Sequence, residues 1–157
     1  MVNVYVLDPE AGQVWRYEEV SGRLAGPIGF LPEALPSGTA TAVAVDGDIW
    51  VLTSDGTVHR YRRQGLAPTL TRLPFQPRWL GEPARATGLQ AIDSQTFIWL
   101  LDAPARNVVQ IARDGREIAR FRLPERLSEP TAFFVSEGQG LAYTVHGSKI
   151  AATPVTR

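Results

Sequence analysis

A short apolar run that contains one aromatic residue recurs four times along this chain at nearly constant spacing. The aromatic residues are Tyr5, Trp50, Trp99 and Tyr143, and successive ones are 45, 49 and 44 residues apart. Periods of about 40 to 50 residues are typical of β-propeller blades, because each blade needs four short strands and three turns. The sequence therefore predicts an all-β propeller of four-stranded antiparallel blades.

Further short segments flank each aromatic run in the order that a blade requires. Small apolar segments at 41–45, 87–92 and 131–135 are predicted as innermost strands, and third strands follow at 12–17, 56–61, 107–111 and 149–152. Outer strands fit residues 117–123 and 69–73, with a less regular candidate at 26–30. Asp-Gly pairs between these segments favour tight hairpins. Only residues 32–35 suggest a single helical turn.

The strand count indicates about three and a half to four blades in a single β-propeller segment, 1–157. Their approximate limits are 1–36, 37–80, 81–126 and 127–157, so the chain begins at the second strand of one blade and stops at the third strand of another. We expect an incomplete ring, with a closed four-bladed ring as the alternative. An open arc exposes larger apolar faces than monomers usually carry. We expect the chain to be the C-terminal part of a longer propeller or to form an oligomeric one, with another protein domain or a second copy completing the ring.

Composition excludes several other classes of function. Sixteen basic and 16 acidic residues give a net charge of zero, which argues against nucleic acid as a partner. Cysteine is absent, so thiolate metal sites and cysteine nucleophiles are excluded, and no cofactor is predicted. No apolar run approaches the roughly 20 residues needed for membrane insertion by this segment. No signal peptide is visible in this chain, so the compartment is unknown and is taken as cytoplasmic by default.

Three residues are predicted to contribute to binding. Trp79 and Arg78 lie in a proline-rich connection, residues 75–83, and an aromatic side chain beside arginine on a loop is a common anchor of binding surfaces. Capping of the core is the alternative for Trp79. His146 is predicted in a turn at the rim of the ring, either as a binding contact or simply solvated. His59 is expected to be half-buried between sheets.

The remaining polar residues have structural interpretations. Asp8 and Asp102 follow second strands, where an aspartate bonds the amides of the next turn, and two carboxylates are too few for calcium. No catalytic or metal-binding residue is predicted. Arginines concentrated on third and outer strands are expected to protect strand edges, with an anionic partner as the alternative. These arginines are Arg60, Arg62, Arg63, Arg72, Arg113, Arg116, Arg120, Arg122 and Arg126.

Residues 7–14, 44–52 and 98–109 resemble blades of the NHL and YncE-like propellers. The order of these segments is also similar to the C-terminal propeller regions of large bacterial proteins, some of them linked to serine/threonine phosphatase-like domains. The resemblance implies a propeller over nearly the whole chain and brings no catalytic residue with it. A non-catalytic module for protein–protein interaction or ligand sensing is the leading hypothesis. The alternatives are a fragment of a propeller-type lyase or hydrolase with its active site in the central channel, and carbohydrate or peptide recognition.

Overall fold

The computed structural model describes residues 3–64 and 70–156, which form strands, turns and irregular connections without a helix. Residue 69, at the start of one predicted outer strand, lies outside the described residues. The strands are β1 Asn3–Asp8, β2 Gln13–Val20, β3 Arg23–Gly29, β4 Ala40–Val45, β5 Ile49–Thr53, β6 Val58–Arg63, β7 Leu70–Leu73, β8 Gly88–Gln90, β9 Ile98–Asp102, β10 Asn107–Ile111, β11 Glu117–Arg122, β12 Ala132–Ser136, β13 Leu141–His146 and β14 Lys149–Pro154.

These strands form four antiparallel sheets in chain order. The first sheet is β1-β2-β3, the second β4 to β7, the third β8 to β11, and the fourth β12-β13-β14. Every pairing joins strands that are neighbours in sequence, so each sheet is a simple meander of the kind that makes a propeller blade. Contacts between β1 and β4, between β4 and β8 and between β8 and β12 place the sheets side by side in the same order. The predicted all-β propeller fold is confirmed.

The register shows which strands the two terminal sheets lack among the described residues. The strands β1, β5, β9 and β13 occupy the second position, and each pairs equivalently with the strand that follows it. The equivalent pairs are Leu7–Val14, Leu52–Val58, Leu101–Val108 and Val145–Ile150. The first sheet therefore has no innermost strand, and the fourth sheet has no outer strand. This arrangement agrees with the predicted strand count.

Three hydrophobic clusters fill the spaces between successive sheets. Alternate residues of a strand point to opposite faces, so the second strands of the two middle sheets, β5 and β9, each supply both neighbouring clusters. In β5, for example, Val51 packs toward the first sheet, while Trp50 and Leu52 pack toward the third. Trp99 repeats the role of Trp50 one sheet later. Full burial of one such aliphatic side chain contributes about 1.5 to 3 kcal/mol, so the arrangement of sheets depends on these clusters.

Polar contacts tie adjacent sheets together across these clusters. The Trp50 indole donates to Asp46 Oδ1 at 2.7 Å, and the Arg113 guanidinium from the third sheet donates to the same carboxylate. One interface later, Trp99 Nε1 donates to Glu137 Oε1 at 2.9 Å. Glu137 also accepts the backbone amide of Phe97 at 3.0 Å. The repeated tryptophans are thus anchored by carboxylates as well as by packing.

Most of the arginines that are predicted to protect strand edges form ion pairs with acidic residues of the same chain. Buried Asp48 accepts Arg60 and Arg62, each at 2.6 Å, and Arg60 lies 4.9 Å over the Trp50 ring. Burial raises the pKa of Asp48, but the hydrogen bonds and charges of Arg62 and Arg60 outweigh burial, so its pKa is lowered. Five of the nine arginines make such ion pairs, which weakens the case for an anionic partner. They are Arg60, Arg62, Arg113, Arg120 and Arg122.

The predicted helical turn at residues 32–35 is wrong. The chain bends there without helical hydrogen bonding, and the Leu35 amide donates to the Gly12 carbonyl at 2.7 Å. Leu31 and Leu35 are both buried in the cluster between the first two sheets. Two prolines in this segment, Pro32 and Pro36, favour an extended path that carries both leucines into the cluster.

Candidate functional site

The first sheet turns one apolar face away from the rest of the arc. Val4 and Val6 alternate with Tyr5 and Leu7, which pack toward the second sheet. Tyr17 and Trp15 lie opposite Val4 and Val6 on β2 and point the same way. We call Val4, Val6, Trp15 and Tyr17 the leading face.

The exposure of the leading face contrasts with that of its equivalents in the second sheet. Val6 is 44% exposed, whereas Val51, at the same position of the second sheet, is completely buried. Val4 is likewise exposed, and its equivalent Ile49 is buried. Trp15 is only partly exposed on this face, and its indole donates to Asp8 Oδ2 at 3.1 Å.

The fourth sheet has an apolar face at the opposite end of the arc. Phe134 on β12 lies opposite Tyr143, and Ile150 on β14 lies opposite Val145. These four residues alternate with buried residues such as Ala142, which pack toward the third sheet. We call Phe134, Tyr143, Val145 and Ile150 the trailing face.

Exposed large hydrophobic residues are concentrated on the two terminal sheets. Among the described residues eight are exposed, and all but Leu80 belong to the first or the fourth sheet. Ile150 is 74% exposed, whereas its equivalents Val14 and Val108 are completely buried between sheets. Contiguous apolar patches of this kind mark interaction sites. The two faces are therefore the first candidate site.

The second candidate site is a cavity of about 720 Å³ that is lined by the second sheet and by the connection from it to the third sheet. Trp79 is half-buried there and packs against the cluster between these sheets, and Phe75 meets the Trp50 ring edge-on at 5.0 Å between centroids. Trp79 thus lies next to the core and on the wall of an open cavity, and its role in binding remains a prediction. The wall also includes Asp55, His59, Arg72, Pro74, Gln76, Pro77 and Pro83.

Two polar groups on the cavity wall are fixed by their neighbours. Arg72 donates to His59 Nδ1 at 2.5 Å. Burial, followed by the charge of Arg72, lowers the pKa of His59, so the ring is neutral near pH 7. Asp55 accepts the Thr53 hydroxyl at 2.7 Å and the Thr57 amide at 3.0 Å, and these bonds lower its pKa. The wall therefore presents one carboxylate, a guanidinium and a neutral imidazole. The half-buried position of His59 agrees with the sequence-based expectation.

Arg78 lies outside this wall. Its backbone amide donates to the Gly115 carbonyl at 2.7 Å, and its carbonyl accepts the Glu117 amide at 3.1 Å. The exposed guanidinium pairs with Asp114 at 2.9 Å. Arg78 thus fastens the connection to the third sheet, while its neighbour Trp79 lines the cavity.

His146 does not lie in a solvated turn at the rim, and that expectation is wrong. It is the last residue of β13 and is buried, because its ring contacts the Ser128 carbonyl at 2.6 Å and the Thr144 hydroxyl at 2.7 Å. Ser128 is 18 residues earlier in the chain, so the local sequence gives no sign of the contact. The structure does not bring His146 together with Trp79 or Arg78 in one cavity, and its role in binding remains a prediction.

The two aspartates after second strands hold turns, as predicted. Asp8 accepts the Ala11 amide at 3.0 Å, and Asp102 accepts the amides of Ala105 and Arg85, each at 3.1 Å. Across residues 3–64 and 70–156, no three His, Cys, Asp or Glu side chains lie close enough to hold a metal ion. The same residues include no helix that is long and apolar enough to cross a membrane.

Comparisons with known proteins find similarity in structure but not in sequence. No protein-family model matches, and no curated protein matches. Virginiamycin B lyase from Staphylococcus aureus superposes with a TM-score of 0.53 at 12% identity, over 99% of this chain and 53% of the solved chain. A chain of the nidogen/laminin complex superposes with a TM-score of 0.65 at 14% identity, over 99% of this chain and 59% of that one. The chain thus has the fold of part of a β-propeller and spans little more than half of these solved chains.

Proposed function

We propose that this chain is a non-catalytic propeller module that acts by binding, and that further propeller sheets cover its leading and trailing faces. These sheets belong either to another domain or to a second copy. One observation carries the proposal: Val6 and Ile150 are exposed at positions that are buried wherever a neighbouring sheet is present. Membership among the NHL or YncE-like propellers, in a bacterial protein, is part of the same proposal.

The free energy gained by burying exposed apolar side chains supports coverage of both faces. Complete burial of an exposed aliphatic side chain contributes about 1.5 to 3 kcal/mol. Each face offers several such side chains, and the three internal clusters show that sheets of this chain pack well through equivalent residues. Association also has a cost in lost freedom of motion. Burial of the exposed side chains on both faces acts against this cost.

Dye binding tests the proposal on the isolated chain. Exposed apolar faces bind a fluorescent hydrophobic dye, so we expect strong fluorescence at low protein concentration. Val6→Ser and Ile150→Ser should each reduce it, whereas Leu80→Ser, at an exposed residue away from both faces, should leave it unchanged. A chain that light scattering shows to be monomeric, and that binds no dye, would contradict the proposal.

The cavity beside Trp79 supports carbohydrate or peptide recognition as a second candidate function. An aromatic ring next to a carboxylate and a guanidinium suits a ligand with one apolar face and several hydroxyl or amide groups. Quenching of tryptophan fluorescence by oligosaccharides and by proline-rich peptides would separate the two ligand classes. Binding should be lost in Trp79→Ala and kept in the control Trp15→Phe. Equal binding by both variants would eliminate the cavity as the site.

The lyase or hydrolase alternative has less support. Its active residues would have to converge on the propeller axis, which the innermost strands β4, β8 and β12 line. Gln90 on β8 is buried there, but its amide is occupied by the backbone of Val135 at 2.7 and 2.8 Å. The lyase name of one structural neighbour does not extend to this chain, because at 12% identity the similarity concerns the fold alone.

A further inference from the structure

We propose that the partner is a second copy of this chain, joined head to tail so that the trailing face of each copy packs on the leading face of the other. This inference rests on the proposed function, because it names the source of the missing sheets. It predicts a closed ring of two chains related by a twofold axis.

The internal interfaces all have the same direction. In each, the second strand of one sheet turns its repeated aromatic residue, Tyr5, Trp50 or Trp99, toward the next sheet. Val14 of the first sheet and Val51 of the second share one hydrophobic cluster, and Val58 of the second and Leu100 of the third share the next. Along the arc, therefore, each sheet has one side that packs on the next sheet and one side that packs on the preceding sheet.

The two uncovered faces are the two complementary kinds. By strand register, Ile150 on the trailing face is equivalent to Val14 and Val58. Val6 on the leading face is equivalent to Val51 and Leu100. A trailing face placed on a leading face therefore repeats a contact that this chain already makes twice. Two leading faces or two trailing faces would not repeat it.

Two copies also give a ring of acceptable size. Four sheets from each chain make eight, and known propellers have four to eight blades. This chain spans 53% and 59% of the two solved chains that it resembles, so a second copy supplies about the length that is missing. Head-to-tail contacts close into a ring when the rotation between copies is a simple fraction of a turn.

The residues at the ends of β14 favour a second copy as the partner over an extra strand that would pair with the outer edge of β14. A copy covers the faces of the terminal sheets but does not supply the outer strand that the fourth sheet lacks, so β14 stays an edge. Lys149, the only lysine of the chain, lies at one end of β14, and Pro154 lies at the other. Lysine and proline are the residues by which natural edge strands resist further pairing.

Light scattering on the full chain and on two complementary variants tests this proposal. The natural chain should show twice the monomer mass. Val6→Glu and Ile150→Arg should each be monomeric, because every junction then contains one unpaired charge. An equal mixture of the two variants should regain the doubled mass, because one junction is then natural and the other pairs a carboxylate with a guanidinium. Leu80→Arg should stay dimeric, and circular dichroism should show all variants folded.

Each other outcome has a definite meaning. If one variant dimerises alone, the contact joins like faces and the head-to-tail arrangement is wrong. If the natural chain is monomeric at every accessible concentration but binds hydrophobic dye through the two faces, a second copy is not the partner and the proposed function stands. If the monomer binds no dye, both proposals fail. If variants that circular dichroism shows to be folded do not associate on mixing while the natural chain is dimeric, the assigned junction is wrong.

Discussion

Val108 and Ile150 occupy the same position in successive sheets, yet Val108 is completely buried and Ile150 is 74% exposed. Val108 lies opposite Leu101, and Ile150 lies opposite Val145, in equivalent register. The difference is that the fourth sheet follows Val108, whereas no sheet of the described chain follows Ile150. Position in the arc, rather than residue type, decides whether this site is covered.

Truncation of side chains at equivalent positions should separate covered from uncovered sites. Leu100→Ala leaves a cavity in the cluster between the second and third sheets and should lower the free energy of unfolding by about 2 to 5 kcal/mol. Ile150→Ala should change it by about 0.5 kcal/mol or less in dilute solution. Urea unfolding measures both. Equal losses would show that Ile150 is packed in the isolated chain.

Loss of the Asp48 carboxylate should destabilise the second sheet. At neutral pH, Asp48→Asn removes both arginine ion pairs and should cost about 2 to 3 kcal/mol. Asp114→Asn breaks a pair with Arg78 in which both side chains are exposed, so water screens the charges and the cost should be clearly smaller than for Asp48→Asn. Chemical denaturation compares the two. Similar costs would contradict the structural importance of Asp48.

The same carboxylate should contribute to acid unfolding. Because the pKa of Asp48 is lower in the folded state than its ordinary 3.8, its contribution is present above pH 3.8 and is lost as the pH falls through the folded value. The stability difference between the natural chain and Asp48→Asn should therefore shrink on acidification below that pH. A difference that stays constant down to the acid limit would contradict the lowered pKa.

His59 should make the chain less stable in mild acid. Burial and Arg72 lower its pKa in the folded state below the ordinary 6.5, so the unfolded chain binds the proton more tightly. Its contribution is fully present above about pH 6.5 and declines as the pH falls through that value toward the folded pKa. His59→Gln should flatten this part of the stability profile. Denaturation at a series of pH values measures this profile. If the profile of His59→Gln is the same as that of the natural chain, the loss of stability in mild acid does not come from His59.

Features that depend on local patterns could be predicted from the sequence, whereas features that depend on contacts between distant residues could not. The spacing of Trp50 and Trp99, with strict alternation around them, predicts both the sheets and the faces on which they pack. The bond from Arg113 to Asp46 joins residues 67 positions apart, so no local pattern reveals it. Burial of His146 depends in the same way on the distant carbonyl of Ser128.

The orientation of Trp15, in contrast, follows from a local pattern. Trp15 is one residue after Val14, and Val14 is the residue that packs between sheets, so alternation along β2 turns Trp15 to the other face. By register, Trp15 is equivalent to His59 and Val109, which lie on the side of their sheets that faces the preceding sheet. Among the described residues no sheet precedes the first one, so Trp15 lies on the leading face. Alternation within the strand was therefore the available signal for the leading face.

Gly115 should be required for the connection that positions Trp79. Its φ of 91° favours glycine, and a Cβ atom added there would lie only 2.5 Å from the Gln76 carbonyl oxygen, which leaves no room for a side chain. Gly115→Ala should lower the free energy of unfolding by more than about 1 kcal/mol and make Trp79 more accessible to a fluorescence quencher. Gly138→Ala, in an open turn, is the matched control. Unchanged quenching in both would contradict this role of Gly115.

Oxidative labelling of side chains in dilute solution, read by mass spectrometry, tests the central claim most directly. If the chain is an arc with two uncovered ends, Phe134 and Ile150 should be labelled rapidly while Trp99 and Val108 are protected, and labelling of the first pair should fall as the ends become covered at higher concentration. Protection of Phe134 and Ile150 in a dilute monomer, equal to that of Trp99 and Val108, would contradict the account.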